Sequence, residues 1–325
     1  MKPRSSASLF LARHWFLIAL VLILPIGVFG SNLLRILTDQ GWLRTAIVVI
    51  VMWMMALPIP IELVKNSIRK PWPSTLASLI NMGLIPLAVW GLIPFLSTYY
   101  GGGLMVAAAI PCTLASAAVW TRRAGGDDTV AVLVTLITNV ACVIVTPLWL
   151  MIAIGRTVQL DVRGLILELL LVILLPMAAA QVMRKHNRVA KWAEKRKSQL
   201  SIACQVGILS MVFLGAIQMG QRITTAGTAQ SVSTGSTIEM LIAIGLTSTL
   251  HVLGLIVGWW SAGATGVARP QQIGVAISGS QKTLMVGLQL AMNCGVSIVP
   301  MVAYHVGQLL IDTIVAEYWR GEASG

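Results

Sequence analysis

Long apolar runs separated by short polar breaks follow one another along the whole chain. About 20 apolar residues are needed for a helix to cross a bilayer, so each run predicts one membrane span. The pattern therefore predicts an all-α polytopic membrane protein with ten transmembrane helices. The predicted spans cover residues 15–34, 43–64, 74–96, 102–121, 129–154, 162–183, 200–220, 237–260, 270–291 and 296–318.

The composition supports a membrane protein. Of the 325 residues, 57% are hydrophobic and 10% are charged, and the mean hydropathy is +0.84. Soluble domains have about 45–50% apolar and about 25% charged residues. These values exclude an ordinary soluble protein, and ten spans leave no room for a folded soluble domain beside them.

The basic residues set the orientation of the chain. There are 23 Lys and Arg against 11 Asp and Glu, a formal net charge of +12. Most of them fall on the segments that face the cytoplasm if the N-terminus is inside, as the positive-inside rule requires, so the excess gives no reason to expect nucleic acid binding. Residues 1–14, which include Lys2, Arg4 and Arg13, are predicted to be a cytoplasmic tail before an uncleaved first span. We expect a multi-pass protein of the cell inner membrane with both termini cytoplasmic.

A basic stretch at 184–199 lies near the middle of the chain, between the sixth and seventh predicted spans. It predicts a cytoplasmic linker, which follows the sixth span within the segment 155–199. The two halves are predicted to be five-helix repeats at 15–154 and 162–319. Because five is an odd number of spans, the two repeats have opposite orientations.

The fourth span of each half is interrupted by helix-breaking residues. The first break runs from Pro111 to Thr113, after three consecutive glycines, and the second from Ser278 to Lys282. Broken helices at corresponding positions of two repeats are typical of secondary transporters, whose binding site lies where the breaks meet. A proline kink without a site would explain the first break equally well.

Lys282 is the strongest single candidate because a charge near the bilayer centre costs about 2.5–3.5 kcal/mol on insertion scales. It lies too far from the helix end at Arg269 to reach the interface. Thr135 and Asn139 share one helical face, with interhelical hydrogen bonding as the simpler interpretation.

In the last span, His305, Gln308 and Asp312 form one polar stripe. The histidine suits proton coupling, and a structural histidine is an equal alternative. Glu168 and His251 are interpreted first as contacts within the bundle and second as members of a relay. The candidate substrate or ion ligands are Cys112, Thr113, Ser116, Thr135, Asn139, Ser278, Ser280, Gln281, Lys282, Thr283, His305 and Gln308.

No enzymatic chemistry is indicated. The chain has no GxSxG, P-loop or HExxH pattern and no carboxylate pair placed for a metal ion. Its four cysteines lie within or beside apolar segments and form no CxxC pair, so neither a disulfide framework nor a zinc site is indicated. We expect no catalytic residue, no cofactor and no resident metal.

The two breaks and the last span resemble the bile acid:sodium symporter-like superfamily, in its SBF-like branch. The resemblance covers Ile110 to Pro147 and the runs Ser278 to Gly287 and Tyr304 to Gln308. It implies ten helices in two inverted repeats, with helices four and nine unwound and crossing. A core domain of spans 3–5 and 8–10 would rock against a panel domain of spans 1, 2, 6 and 7.

The sodium sites of that family carry over only in part. Ser116 and Gln281 keep the family's serine and glutamine, and Thr135 and Asn139 can supply oxygens. At the remaining positions Ala117 and Lys282 replace asparagines and Ile277 replaces an acidic residue. A fixed ammonium at the crossover repels a bound cation, so the usual two-sodium coupling is predicted to be absent.

The sequence therefore predicts a secondary transporter of a small organic anion that works by alternating access. Lys282 either acts as a built-in cation or, with His305, takes part in proton coupling, so H⁺ and Na⁺ both stay open as coupling ions. The segment from Pro111 to Thr113 also resembles arsenite exporters of the same superfamily, which makes arsenite or antimonite efflux through Cys112 the alternative. A non-transporting membrane regulator is the third hypothesis.

Overall fold

The computed structural model describes residues 6–38, 40–59, 71–114, 116–155, 160–226 and 237–322. Within these ranges every regular element is a helix and none is a strand. Among them, six helices are long and apolar enough to cross a membrane, judged by length and composition. The prediction of an all-α polytopic membrane protein is confirmed at this level.

The helices before residue 155 include one that is continuous through three helical geometries. A π-helical turn at Ile80–Leu84 joins α4 to α5, and a 3-10 turn at Ile93–Phe95 ends α5. The helices are α1 Ser6–Phe29, α2 Arg35–Thr38, α3 Gly41–Ala56, α4 Trp72–Leu79, α5 Ile85–Leu92, α6 Thr98–Ala109, α7 Ser116–Arg123 and α8 Asp128–Ile154.

The helices after residue 160 repeat this mixture of long and interrupted segments. A second π-helical turn, at Leu170–Leu174, joins α9 to α10. The helices are α9 Val162–Leu169, α10 Leu175–Arg184, α11 Asn187–Lys195, α12 Lys197–Ala226, α13 Thr237–Ala264, α14 Arg269–Ser280, α15 Leu284–Asn293 and α16 Val299–Glu322.

The helices do not follow the limits of two predicted segments. The first helix begins at Ser6, so part of the predicted tail 1–14 is helical, and it ends at Phe29, before the predicted end at residue 34. The predicted linker 184–199 is helical over most of its length because α11 and the start of α12 lie in it. Residues 1–5 of the tail and 60–64 of the second predicted span lie outside the described residues.

Proline explains the first π-helical turn. Pro86 has no N–H to donate to the carbonyl of Met82, four residues earlier, so that oxygen needs another donor. The indole nitrogen of Trp149 on α8 donates to Met82 O at 2.8 Å. The wide turn therefore lies where a second helix satisfies the backbone, and it contains Asn81, which is fully buried.

Two glycines allow α13 to pack closely on α14. A Cβ atom at Gly258 would lie 2.7 Å from Ala276 Cα, and one at Gly254 would lie 2.9 Å from Ser280 Cβ. Small residues four apart on one helix face permit such close approach in membranes. This contact places His251, one turn before Gly254, beside the end of α14.

The helices pack in two sets. In one, α1 and α3 pack on α12, and α3 also packs on α10. In the other, the two interrupted segments α6/α7 and α14/α15 pack among α4, α5, α8, α13 and α16. The sets meet where α15 lies against α12 and α3 and where α9 lies against α8.

Replacing Trp149 by Phe tests the role of the indole at the π-helical turn. The Trp149→Phe variant keeps an aromatic ring but removes the donor to Met82 O, which leaves a buried carbonyl unsatisfied. We expect the free energy of unfolding to fall by about 1–3 kcal/mol. Denaturant unfolding in detergent measures this, with Trp90→Phe on the exposed side of α5 as the control; equal effects of the two variants would contradict the assignment.

Candidate functional site

The two helix breaks lie against each other in the centre of the protein. The backbone N–H of Thr283 donates to Pro111 O at 3.0 Å, so the two interrupted segments share a hydrogen bond at their unwound residues. Every residue from Tyr100 to Leu114 and from Ile273 to Met292 is buried. Backbone groups in this region have to be satisfied by protein atoms, and they largely are.

Lys282 binds the carboxyl end of α6. Its fully buried ammonium donates to Ala108 O at 2.5 Å and Ile110 O at 3.1 Å. It also donates to Asn81 O at 2.5 Å and Asn81 Oδ1 at 3.2 Å, so four oxygens surround one nitrogen. A helix end carries partial negative charge on its free carbonyls, which a buried cation neutralises. Lys282 is thus held in a cage of uncharged oxygens.

Asn81 performs the matching task at the carboxyl end of α14. Its Nδ2 lies 3.3, 3.2 and 2.8 Å from the carbonyl oxygens of Ser278, Gly279 and Gln281. Since its Oδ1 accepts from Lys282, one asparagine connects both helix ends. Asn81 did not figure among the sequence candidates, although a single Asn within an apolar span was a signal that could have found it.

Side chains of α8 satisfy the rest of the first break. Asn139 Nδ2 donates to Cys112 O at 3.1 Å, Thr135 Oγ1 to Thr113 O at 2.8 Å and Thr146 Oγ1 to Ala109 O at 2.6 Å. These bonds are the interhelical contacts that formed the simpler interpretation of Thr135 and Asn139. The Oδ1 atom of Asn139 is buried without a hydrogen-bond partner, so one acceptor there is open to a bound donor or cation.

Gln308 of α16 fixes the backbone of the second break. It accepts from Lys282 N at 2.9 Å and donates to Lys282 O at 3.0 Å. Its Nε2 also lies 3.0 Å from His305 Nδ1, which makes that ring nitrogen an acceptor. His305 is therefore attached to the break through Gln308.

The side chain of Gln281 joins three helices. Its Oε1 accepts from Thr113 Oγ1 and Ser116 Oγ, both at 2.9 Å, and those hydroxyls lie 2.7 Å from each other. Its Nε2 donates to Asp312 Oδ2 at 2.5 Å. Ser116 and Gln281 match sodium-site residues of the superfamily that the sequence resembles. In this structure they are hydrogen-bonded to each other.

A buried polar pair lies behind Gln281. His251 Nε2 is 3.0 Å from Asp312 Oδ1, and His251 Nδ1 is 3.2 Å from Ser280 O. The hydroxyl of Tyr304 donates to the same Ser280 O at 2.8 Å. His251 and Asp312 are both fully buried. The sequence placed Asp312 on the polar stripe and gave His251 a minor role, and neither was among the candidate ligands.

Most of the sequence candidates meet at this crossover, but not all through their side chains. Ser278 contributes its carbonyl, since its hydroxyl donates to Gly274 O of its own helix. Thr283 contributes its backbone N–H. The sulfur of Cys112 is fully buried, with Thr135 Oγ1 at 3.8 Å. Within the described residues no group of three or more His, Cys, Asp or Glu side chains is arranged to hold a metal ion.

Two helix amino ends also lie at the crossover, where the buried carboxylate of Asp312 binds Gln281. The carboxyl ends of α6 and α14 are bound by Lys282 and Asn81, whereas the amino ends of α7 and α15 begin beside the breaks at Ser116 and Leu284. Helix amino ends carry partial positive charge and free N–H groups. With the Lys282 ammonium, they make the crossover electrically suited to an anion.

A family model described as the SBF-like CPA transporter family matches residues 14–321, so the chain belongs to this family. The resemblance to the bile acid:sodium symporter-like superfamily is therefore confirmed. The chain is a multi-pass membrane protein of a transporter family, and the prediction that it is not an enzyme agrees with that membership.

Curated relatives are similar at low identity. The chain is 26% identical over 267 residues to a probable sodium/metabolite cotransporter, BASS4, of Oryza sativa subsp. indica; the match covers 77% of this chain and 62% of the length of the rice protein. It is 19% identical to sodium/bile acid cotransporter 7-A of Xenopus laevis, over 94% of this chain and 91% of the relative. An uncharacterized sodium-dependent transporter, YocS, of Bacillus subtilis is 25% identical over 86% and 84% of the two chains.

Replacing Asn81 tests whether one side chain supports both helix ends. In Asn81→Ala, three carbonyls lose their donor and Lys282 loses an acceptor, so we expect the free energy of unfolding to fall by at least about 3 kcal/mol. Thermal and denaturant unfolding in detergent measure the loss.

The matched control for Asn81 is Ser78→Ala on α4. The hydroxyl of Ser78 donates only within its own helix, to Ser74 O at 2.7 Å, so its loss should change the unfolding free energy by no more than about 0.5 kcal/mol. An Asn81 variant as stable as this control would contradict the central role of Asn81.

Proposed function

We propose that this member of the SBF-like CPA transporter family is a secondary transporter of a small organic anion in the cell inner membrane, with both termini cytoplasmic. The observation that carries the proposal is the ammonium of Lys282, buried among four oxygen acceptors at the crossover. A charge inside a membrane protein marks a functional site by default because burying it is expensive. Here four oxygen acceptors match the donors of the positive ammonium form.

The proposed architecture is ten spans in two inverted five-helix repeats. In this arrangement α6 with α7 forms the fourth span and α14 with α15 forms the ninth. The core would consist of spans 3–5 and 8–10 and the panel of spans 1, 2, 6 and 7. The observed packing of α1, α3, α10 and α12 on one another supports this division, and rocking of core against panel would expose the crossover to each side in turn.

Lys282 acts in this proposal as a built-in cation. Its nitrogen donates to carbonyl and amide oxygens, the ligands that a hard metal cation prefers. The fixed charge makes a sodium ion at the same place unfavourable. The relatives that carry sodium in their printed names would thus use an ion where this chain uses a side chain.

The anion would bind beside the helix amino ends and the Lys282 ammonium. The amino ends of α7 and α15 face the breaks, and Thr113 and Ser116 offer hydroxyls that now bind each other and Gln281. A carboxylate could replace the Gln281 oxygen as their acceptor and keep every donor satisfied. The open Oδ1 of Asn139 would accept from a hydroxyl or amide of the same substrate.

The two other hypotheses make different demands. An arsenite or antimonite permease needs the Cys112 thiol to be reached by the substrate, and no step of it requires Lys282. A membrane regulator needs no ligand at the crossover. Including arsenite among the ligands of the first experiment below distinguishes the three hypotheses: the anion carrier predicts stabilisation by an organic anion, the permease by arsenite, and the regulator by neither.

The first experiment measures the melting temperature of the purified protein with acetate, pyruvate, benzoate, arsenite or sodium chloride. A ligand at 100 times its dissociation constant stabilises a protein by about 2.7 kcal/mol, so a bound anion raises the melting temperature. We expect an organic anion to do this in the wild type and to lose the effect in Lys282→Met. The control Lys191→Met, on the exposed face of α11, should keep it.

A second variant tests the built-in cation. Lys282→Asn places the family's residue at the crossover and removes the ammonium from the oxygens of Asn81, Ala108 and Ile110. We expect sodium to stabilise this variant, compared with choline at equal ionic strength, and to leave the wild type unchanged. Sodium stabilisation of the wild type would overturn the proposal that Lys282 takes the place of the ion.

A further inference from the structure

The hydrogen bonds of His251 determine how many protons it shares with Asp312. Ser280 O can only accept, so the Nδ1 atom of His251, at 3.2 Å, has to carry a hydrogen. The contact of 3.0 Å between Nε2 and Asp312 Oδ1 needs one more hydrogen, which belongs either to the ring or to the carboxyl group. In both cases the pair is neutral overall and holds one proton more than a neutral imidazole beside a carboxylate.

Removing that proton would leave a defect that the surroundings do not repair. If Nδ1 keeps its hydrogen, the lone pair of Nε2 faces a carboxylate; if the hydrogen moves to Nε2, a lone pair faces Ser280 O. Both residues are fully buried, so a full negative charge would also stay out of water. The network in this structure is therefore complete only with the extra proton bound.

Few other ionisable groups lie around the pair. Tyr304 of α16 has its ring centre 5.9 Å from that of His251, and Cys112 of the first break is close enough to interact with Asp312 and with Lys282. The α4/α5 segment contributes Asn81, which is uncharged. On α6 the ionisable residues are Tyr99 and Tyr100 at its outer end, and on α14 Arg269 lies at the far end.

The other ionisable residues of α16 are His305 before the pair and Glu317, Tyr318, Arg320 and Glu322 beyond it. His305 is attached to Gln308, and Glu317 lies in an exposed ion pair with Arg123. Lys282 follows Gln281, whose side chain donates to Asp312, and its own ammonium donates to uncharged oxygens in this structure.

We propose that His251 and Asp312 form a binding site for one proton. This proton would be transported together with the anion. The inference rests on the proposed function. The proton site is connected to the anion site at two points: Ser280 O ends the half-helix α14, and Asp312 Oδ2 accepts from the Gln281 side chain that also binds Thr113.

Charge balance supplies the coupling. With the proton bound, the pair is neutral and Lys282 leaves one positive charge at the crossover, which a monovalent anion neutralises. Without the proton, the Asp312 carboxylate neutralises Lys282, and an added anion would leave one negative charge buried. Only the form without proton and anion and the form with both are neutral. The form with the proton and no anion, which completes the network of this structure, carries the one positive charge that attracts the anion. Proton and anion therefore move together.

Nitrogen NMR of the histidine rings tests the site without any substrate. The chain has four histidines, and the variants His14→Gln, His186→Gln and His305→Gln assign the His251 signal by elimination. In the wild type we expect the His251 signals to shift once with pH as the shared proton leaves. A His251 signal that stays constant over the whole pH range in which the protein is folded would overturn the proposal.

Asp312→Asn is the decisive variant because its carboxamide imitates the protonated acid. It can donate to His251 Nε2 and accept from Gln281, so the network stays complete, but it has no proton to release. We expect its His251 signals to be independent of pH. Glu317→Gln, at the exposed end of the same helix, is the control and should titrate as the wild type does; a titration unchanged in Asp312→Asn would contradict the shared proton.

The coupling itself is tested by anion affinity against pH, with benzoate, pyruvate and acetate as probes in the melting assay. Uptake of one proton per anion makes the affinity fall tenfold for each pH unit above the titration of the pair. Asp312→Asn should bind the anion equally well at all these pH values. Wild-type affinity independent of pH, with His251 titrating, would overturn the coupling alone, whereas no binding of any anion at any pH would count against the proposed function.

Discussion

The rest of the structure depends on satisfying the backbone where two helices stop inside the protein. Free carbonyls at a helix end cannot be left to lipid, and each carries part of the helix dipole. One side chain donates to the free carbonyls at each of these helix ends. Lys282 does so at the end of α6 and Asn81 at the end of α14. Because Lys282 also donates to Asn81, the two ends form one unit, and a change at either break is felt at both.

This unit explains why α8, α13 and α16 lie where they do. Each brings polar side chains to a particular set of backbone groups: Asn139 to Cys112 O, His251 to Ser280 O and Gln308 to both backbone groups of Lys282. The glycines of α13 matter for the same reason, since a Cβ atom at Gly254 would push the helix away from Ser280. The apolar packing that surrounds the crossover thus positions hydrogen-bond donors.

The sequence was sufficient to predict the membrane class, because that follows from the long apolar runs themselves. The two breaks and Lys282 could be predicted because each is a local departure from such a run. Asn81 and the pairing of His251 with Asp312 could not be predicted in this way. A single polar residue within a span is equally compatible with a role in packing, and what distinguishes these residues is a partner on another helix far away in sequence. The helical start at Ser6 was missed because charge was taken as the end of the helix, although a helix can continue beyond the bilayer.

A tethered ammonium and a mobile ion at the same place have different consequences for transport. An ion that binds and leaves changes the charge of the crossover in each cycle, whereas the ammonium of Lys282, in its proposed role as a built-in cation, would stay in place. The variable charge then has to come from a group that can gain and lose a proton, and the buried carboxylate directly linked to Gln281 is Asp312. In the proposed transporter, a lysine in place of a sodium ligand would therefore need a second, titratable site nearby for transport to stay coupled. The position of Asp312 between His251 and Gln281 meets that requirement with residues of the last and eighth proposed spans.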